Sequence, residues 1–207
     1  MKSLKVLNLY AGIGGNRKLW PKNIKVVAIE INPEIARAYK HFFPEDEVIV
    51  TDAHDYLEDN HDKYDFIWSS RPCQSHTLIR KNVAVKRGQS RPIYPDMKLY
   101  EEIIFLQHYA KCKWVVENVK SYYQPLIRPQ ESGGHYFWSN FHISYIRPIS
   151  RNIEKGNNRS YLKRTGFDLS GFKFGKRKDT VYHNCLNQEL GLHVFNSAFK
   201  TKQLVLV

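Results

Sequence analysis

The chain has 207 residues, which suits one domain with at most a small appendage and is long enough to bury a core without disulfides or metals. Hydrophobic residues make up 42% and aromatic residues 14%, which excludes a disordered chain, and no apolar run is long enough for a membrane helix. Lys and Arg outnumber Asp and Glu by 32 to 20, and the resulting charge of +12 favours a polyanionic partner, nucleic acid first.

Met1 to Val6 runs straight into a strand without a signal-peptide pattern. Cys73, Cys112 and Cys185 have no paired spacing, which argues for a reducing, cytoplasmic setting. None of them forms a C-x-x-C or has a His at zinc-ligand spacing, so no metal site is expected.

Lys5-Val6-Leu7-Asn8-Leu9-Tyr10 reads as the first strand, and it breaks into the glycine turn Ala11-Gly12-Ile13-Gly14-Gly15. A strand followed by such a turn lets a backbone approach a ligand closely. The next strand, residues 25–30, ends in Glu30, near the distance at which nucleotide-binding folds place a ribose-gripping acid. Asn32-Pro33-Glu34 then supplies an N-cap, a proline at N1 and an acid in the first turn, which predicts a helix to about residue 43. A third strand, residues 47–52, ends in Asp52. That carboxylate either meets an adenine amino group or caps a helix around Tyr56 and Leu57.

Asp65-Phe66-Ile67-Trp68-Ser69-Ser70 reads as a buried parallel strand, and Arg71-Pro72-Cys73-Gln74-Ser75 follows it. Ligands in open α/β sheets bind outside the carboxyl ends of strands, which puts Cys73 at the mouth of a site. Arg71, Arg80 and Lys81 would favour its thiolate; the alternative is a structural cysteine. Residues 78–95 lack apolar periodicity and read as a long loop carrying Arg80, Lys81, Lys86, Arg87 and Arg91. It is either a phosphate-binding lid or a solvated loop. Asp96 caps a predicted core helix over residues 97–107. Residues 113–119 form another buried strand, and Glu117 near its end is placed to give or hold a proton. Strands thus alternate with helices, as in an α/β protein with a nucleoside-like cofactor laid across a parallel sheet and a thiol beside it.

In this order the motifs resemble the DNA (cytosine-5) methyltransferase family. Residues 8–15 are similar to its cofactor loop, Glu30 and Asp52 to its ribose- and adenine-binding acids, and Arg71-Pro72-Cys73-Gln74 to its Pro-Pro-Cys-Gln nucleophile motif. Glu117-Asn118-Val119 is its Glu-Asn-Val. His135-Tyr136-Phe137-Trp138-Ser139-Asn140, with Arg147-Pro148 after it, is similar to a strand of the animal de novo enzymes. Asn184-Cys185-Leu186 and the helix after it are similar to the last family motif, which packs back beside the cofactor.

The resemblance implies a Rossmann-like S-adenosylmethionine-dependent methyltransferase fold with a mostly parallel sheet and a vestigial target recognition region. It implies S-adenosylmethionine as cofactor, held by Tyr10, Ala11, Gly12, Ile13, Gly14, Gly15, Glu30, Ile31, Asp52, Ala53, Pro72 and Asn184. It implies double-stranded DNA as partner, with Cys73 adding to C6 of a flipped cytosine and Glu117 on the base edge. Asn8 stands where the family has an acid and Arg71 where it has a proline. Ser132-Gly133-Gly134 occupies the place of an arginine motif, and Arg128 is the expected substitute.

The chain divides into a catalytic and cofactor-binding part (1–147), a short basic target-recognition segment (148–180) and a C-terminal segment packing back (181–207). The middle segment interleaves cations, among them Arg159, Lys163 and Arg164, with Tyr161, Phe167, Phe172 and Phe174, which fits nucleic-acid contacts or a linker. Gln74, Ser75 and the loop cations are the other expected DNA contacts. The length resembles compact phage or bacterial enzymes, some with a partner restriction enzyme, and a homodimer would offset so small a recognition surface. Two rival readings share these motifs: a catalytically weak S-adenosylmethionine and DNA binder, and a tRNA cytosine-5 methyltransferase.

Overall fold

A computed structural model describes residues 3–148, 158–175 and 178–199. Runs of Val, Ile and Leu too apolar to face water form five parallel strands. They are β1 (Lys5–Leu9), β2 (Lys25–Ile29), β3 (Glu47–Ile49), β4 (Phe66–Ser70) and β5 (Lys113–Val119). With β6 (Gln130–Ser132) and β7 (His135–Ser139) they make one sheet in the order β3-β2-β1-β4-β5-β7-β6. The last two strands run antiparallel, β7 against β5 and β6 against β7. The mostly parallel α/β sheet matches the expected fold class. Strand order reverses between β1 and β4, so the crevice at their carboxyl ends is where a ligand belongs in such a sheet.

The helices are α1 (Pro33–Phe42), α2 (Ala53–Asn60), α3 (Lys98–Tyr109), α4 (Asn158–Thr165), α5 (Lys178–His183) and α6 (Gln188–Phe199). Helix α1 starts where predicted: the Asn32 side chain accepts from the N–H groups of Glu34 and Ile35 at 2.9 and 3.1 Å, with Pro33 at N1. Losing that cap in Asn32→Ala would cost about 1 kcal/mol. Helix α3 buries Leu99, Ile103 and Leu106, one stripe at helical spacing, against Leu7, Ile67 and Val116 of the sheet. Glu102 lies among them, 1% exposed, and a carboxylate so placed needs partners. On the other face, α6 packs Leu190, Val194 and Phe195 against Val6, Phe66 and Trp20. No described helix is long and apolar enough to cross a membrane.

Two expectations need correction. Residues 78–95 are not loop throughout, because Arg80–Val85 forms a π-helical turn. Ile79 just before it and Val83 within it face solvent and so left no buried stripe to read. The aromatic residues of 148–180 are not a base-stacking platform. Tyr161 and Phe167 are buried with Ile13, Ile35 and Tyr182, and Phe172 and Phe174 pack on the same cluster. Tyr161 stacks on Tyr182 with centroids 4.8 Å apart. The described part of this segment is therefore core that covers α1 and the glycine turn. Residues 149–157, 176–177 and 200–207, and the side chain of Arg159, lie outside the described residues.

Candidate active site

A cavity of about 460 Å³ opens at the carboxyl ends of the parallel strands. Its volume is that of a small-molecule or cofactor site. The end of β1 gives it Tyr10, Ala11, Gly12, Ile13 and Gly15, and the end of β2 gives Glu30 and Ile31. Asp52 and Ala53 enter at the start of α2, Pro72, Cys73 and Gln74 after β4, Glu117 from β5 and Asn184 from the stretch before α6. Gly14 is not in the lining; a side chain there would run into Tyr39 and Phe43, so its bareness serves packing. Gly12 has φ +55 and donates its N–H to Glu30 Oε2 at 3.0 Å, which locks the glycine turn to the acid at the end of β2. Asp52 caps α2, its Oδ1 accepting from His54 N at 2.8 Å, and still faces the cavity. The two readings of Asp52 are thus compatible.

Cys73 is partly exposed, and its carbonyl accepts from the N–H groups of His76 and Thr77 at 2.9 and 3.1 Å, closing a turn beneath it. The loop is pinned on both sides. Asn118 donates Nδ2 to the carbonyl of Arg71 at 3.2 Å, and Asp96 donates its N–H to Ser75 Oγ at 3.0 Å. Thus Asn118 holds the Cys73 loop against the end of β5.

Arg71 is buried, 8% exposed. Its guanidinium is engaged by Glu102 Oε1 at 2.6 Å, by Asp96 Oδ2 at 2.9 Å and by the Tyr10 hydroxyl. Glu102 also accepts from Tyr10 at 2.5 Å and Ser69 at 2.8 Å, and meets His54 Nδ1 at 3.1 Å. One buried carboxylate therefore ties together the ends of β1 and β4, α2 and the start of the Cys73 loop. Burial alone would raise the Glu102 carboxyl, but His54, Arg71, Tyr10 and Ser69 outweigh it and hold it below the usual carboxylate range. The same hydrogen bond raises His54. Tyr10, which reaches into this network, has φ +54, a strained value for a residue with a side chain.

Glu117 is buried and meets Nδ1 of the buried His135 at 2.7 Å through Oε1. Arg128, the expected arginine substitute, is exposed and absent from the cavity lining. His135 lines the cavity instead, as do His54, Lys98, Asn118 and His183. Sequence reading missed these five as site residues; a lone His opening an otherwise aromatic strand was the one available signal for His135. Cys185 also reaches the cavity, but burial pushes its thiol up to about 12, which keeps it a protonated packing group.

The expected DNA contacts are divided. Gln74 lines the cavity, while Lys86, Arg87, Arg91 and Lys163 are exposed. Arg80 donates to the Arg91 carbonyl at 3.2 Å, Lys81 sits over the Tyr122 ring, and Arg164 lies over the Tyr161 ring.

A cofactor-sized cavity at the switch point of a mostly parallel sheet, with a thiol and a carboxyl–imidazole pair in its wall, is the architecture of the α/β methyltransferase fold class. The family model for C-5 cytosine-specific DNA methylases matches residues 4–125, more than half of the chain, and the chain belongs to that family. Similar solved structures include Spodoptera frugiperda DNMT2, 26% identical over 57% of this chain and 36% of that one, with a TM-score of 0.39. Entamoeba histolytica methyltransferase EhMeth is 19% identical over 57% and 39%, with a TM-score of 0.36. A SAM-dependent methyltransferase from Agrobacterium tumefaciens is 13% identical over 59% and 40%, with a TM-score of 0.43. The chain spans about two fifths of the length of these structures. No curated protein matches it.

S-adenosylmethionine is the cofactor that goes with this family. The cavity suits it: Ile31 is 64% exposed at the wall, an apolar surface for an adenine face to cover, and a side chain at Gly12 would meet nothing within 4 Å.

Proposed function

We propose that the protein is an S-adenosylmethionine-dependent DNA cytosine-5 methyltransferase that works through a covalent bond between Cys73 and a flipped cytosine in double-stranded DNA. The observation that carries this reading is that Cys73 and the Glu117–His135 pair share one cavity with Gly12, Glu30 and Asp52. Membership of the C-5 cytosine-specific DNA methylase family supports it.

Gly12, Glu30, Ile31 and Asp52 hold the nucleoside part of S-adenosylmethionine. When bound, S-adenosylmethionine supplies an electrophilic methyl group. Cys73 loses its proton to solvent and its thiolate forms a bond to C6. The electron pair of the C5–C6 double bond moves towards C4 and N3, and Glu117 gives N3 a proton. C5 is now enamine-like and would accept that methyl, the S–CH3 bond breaking and S-adenosylhomocysteine leaving. Loss of the C5 proton to solvent restores the double bond, expels the Cys73 thiolate and returns the N3 proton to Glu117. The base must first leave the stack, at a cost of a few kcal/mol that phosphate contacts help to offset. Lys86, Arg87 and Arg91, exposed in the stretch that follows Cys73 in sequence, suit that role.

The test is incubation with labelled S-adenosylmethionine and either duplex DNA or tRNA. Label at cytosine C5 of the duplex is expected. Label in tRNA alone would move the substrate to RNA, and none in either would reduce the protein to a binder.

A further inference from the structure

We propose that His135 is the proton store of this site, feeding the Glu117 carboxyl that protonates the target base. The inference rests on the methyl-transfer reading above and adds a residue that neither motif spacing nor the arginine-based expectation assigns. Strands β5 and β7 pair with Glu117 opposite Phe137 and Val119 opposite His135. Glu117 and His135 are therefore diagonal neighbours on one face of the sheet. Their contact is short, Nδ1 to Oε1 at 2.7 Å, both are buried, and both line the cavity that holds Cys73.

The chemistry gives that contact a task. A free carboxyl is ionised at neutral pH and has no proton to donate, whereas imidazole is the side chain that ordinarily exchanges its proton near neutrality. The pair holds one proton, on the imidazole; as Cys73 adds to C6 that proton passes from Nδ1 to the carboxyl and from the carboxyl to N3, leaving a carboxylate beside neutral imidazole, and elimination of product returns it. No proton is gained or lost over the cycle beyond the thiol and C5 protons already described. The other titratable groups lining the cavity include Glu30 after β2, Asp52 and His54 at α2, Lys98 at α3 and His183 at α5. His54 and Arg71 are held by Glu102. His183 meets the Tyr161 hydroxyl, and His135 meets Glu117. His135 acts through Glu117 and is thus a positioning residue, unlike a permanently charged arginine in that its service ends when it loses its proton.

The test measures methyl transfer to duplex DNA from about pH 6 to 9.5, with S-adenosylmethionine affinity followed separately by equilibrium binding. Wild-type kcat is expected to fall as pH rises, with cofactor affinity unchanged. His135→Gln keeps a donor to Glu117 but has no proton to give; its kcat should drop by about 100-fold and lose the alkaline decline. KM for DNA should stay within about twofold. His135→Arg, always charged, should recover part of the rate, also without the decline. A Gln variant with wild-type rate and profile, or a pH-independent wild type, would overturn the proposal. Should the Gln variant fail to fold, the wild-type and Arg profiles decide by the same criteria. A wild type that methylates no cytosine at any pH refutes the underlying reading instead, and the proton store falls with it.

Discussion

The ends of β4 and β5 and the stretch of residues 78–94 are built on opposite terms. At the strand ends, polar groups are buried and tied: Asn118 to the Arg71 carbonyl, Arg71 to Glu102 and Asp96, Glu117 to His135. In residues 78–94, Ile79 is 68% and Tyr94 95% exposed, and Lys86, Arg87 and Arg91 face solvent. Bond making tolerates little misplacement and needs the first kind of construction. Phosphate contacts work through charge at longer range and tolerate the second.

The sharpest way to break the comparison is at its rigid end. Cys73→Ser should reduce methyl transfer below detection while cofactor affinity, read by equilibrium binding, stays near wild type. Glu117→Gln should slow single-turnover methyl transfer by about 100-fold, within the range of general acid catalysis. Arg71→Ala leaves Glu102 a buried charge without its main cation and should cost about 3–5 kcal/mol of stability in denaturant unfolding at neutral pH. The sign with pH is fixed by the depressed Glu102 carboxyl. Its contribution is present above the unfolded carboxylate range and is lost as pH falls through the folded value. The gap between wild type and Arg71→Ala should therefore shrink on acidification. At the adaptable end, Lys86→Ala with Arg87→Ala should leave unfolding and cofactor binding alone. It should lower the slope of log DNA affinity against log salt by about 2, one for each phosphate contact removed.

The sequence showed best what is local. Each parallel strand carries its own apolar run and ends in its own chemical group, so Gly12, Glu30, Asp52, Cys73 and Glu117 could be aligned before any coordinates. What escaped depends on pairing at a distance. The buried ion network of Arg71 was hidden because its partner, Glu102, sits 31 residues away on the buried face of a helix that periodicity describes only as apolar. His135 became a site residue only through the antiparallel register of β5 and β7, which no spacing reveals. Tyr161 and Phe167 were misread because aromatic residues among cations look the same whether they face nucleic acid or a core.

Covalent capture by Cys73 is the claim on which the rest depends, and a duplex carrying 5-fluorocytosine tests it most directly. After methyl transfer such a base has no C5 proton to lose, so the sulfur cannot leave. Intact mass after incubation with S-adenosylmethionine should show protein joined to DNA, with peptide mapping placing the bond on Cys73 and none formed by Cys73→Ser. Methyl transfer to ordinary duplex by a protein that never becomes bonded to the fluorinated one would contradict the account.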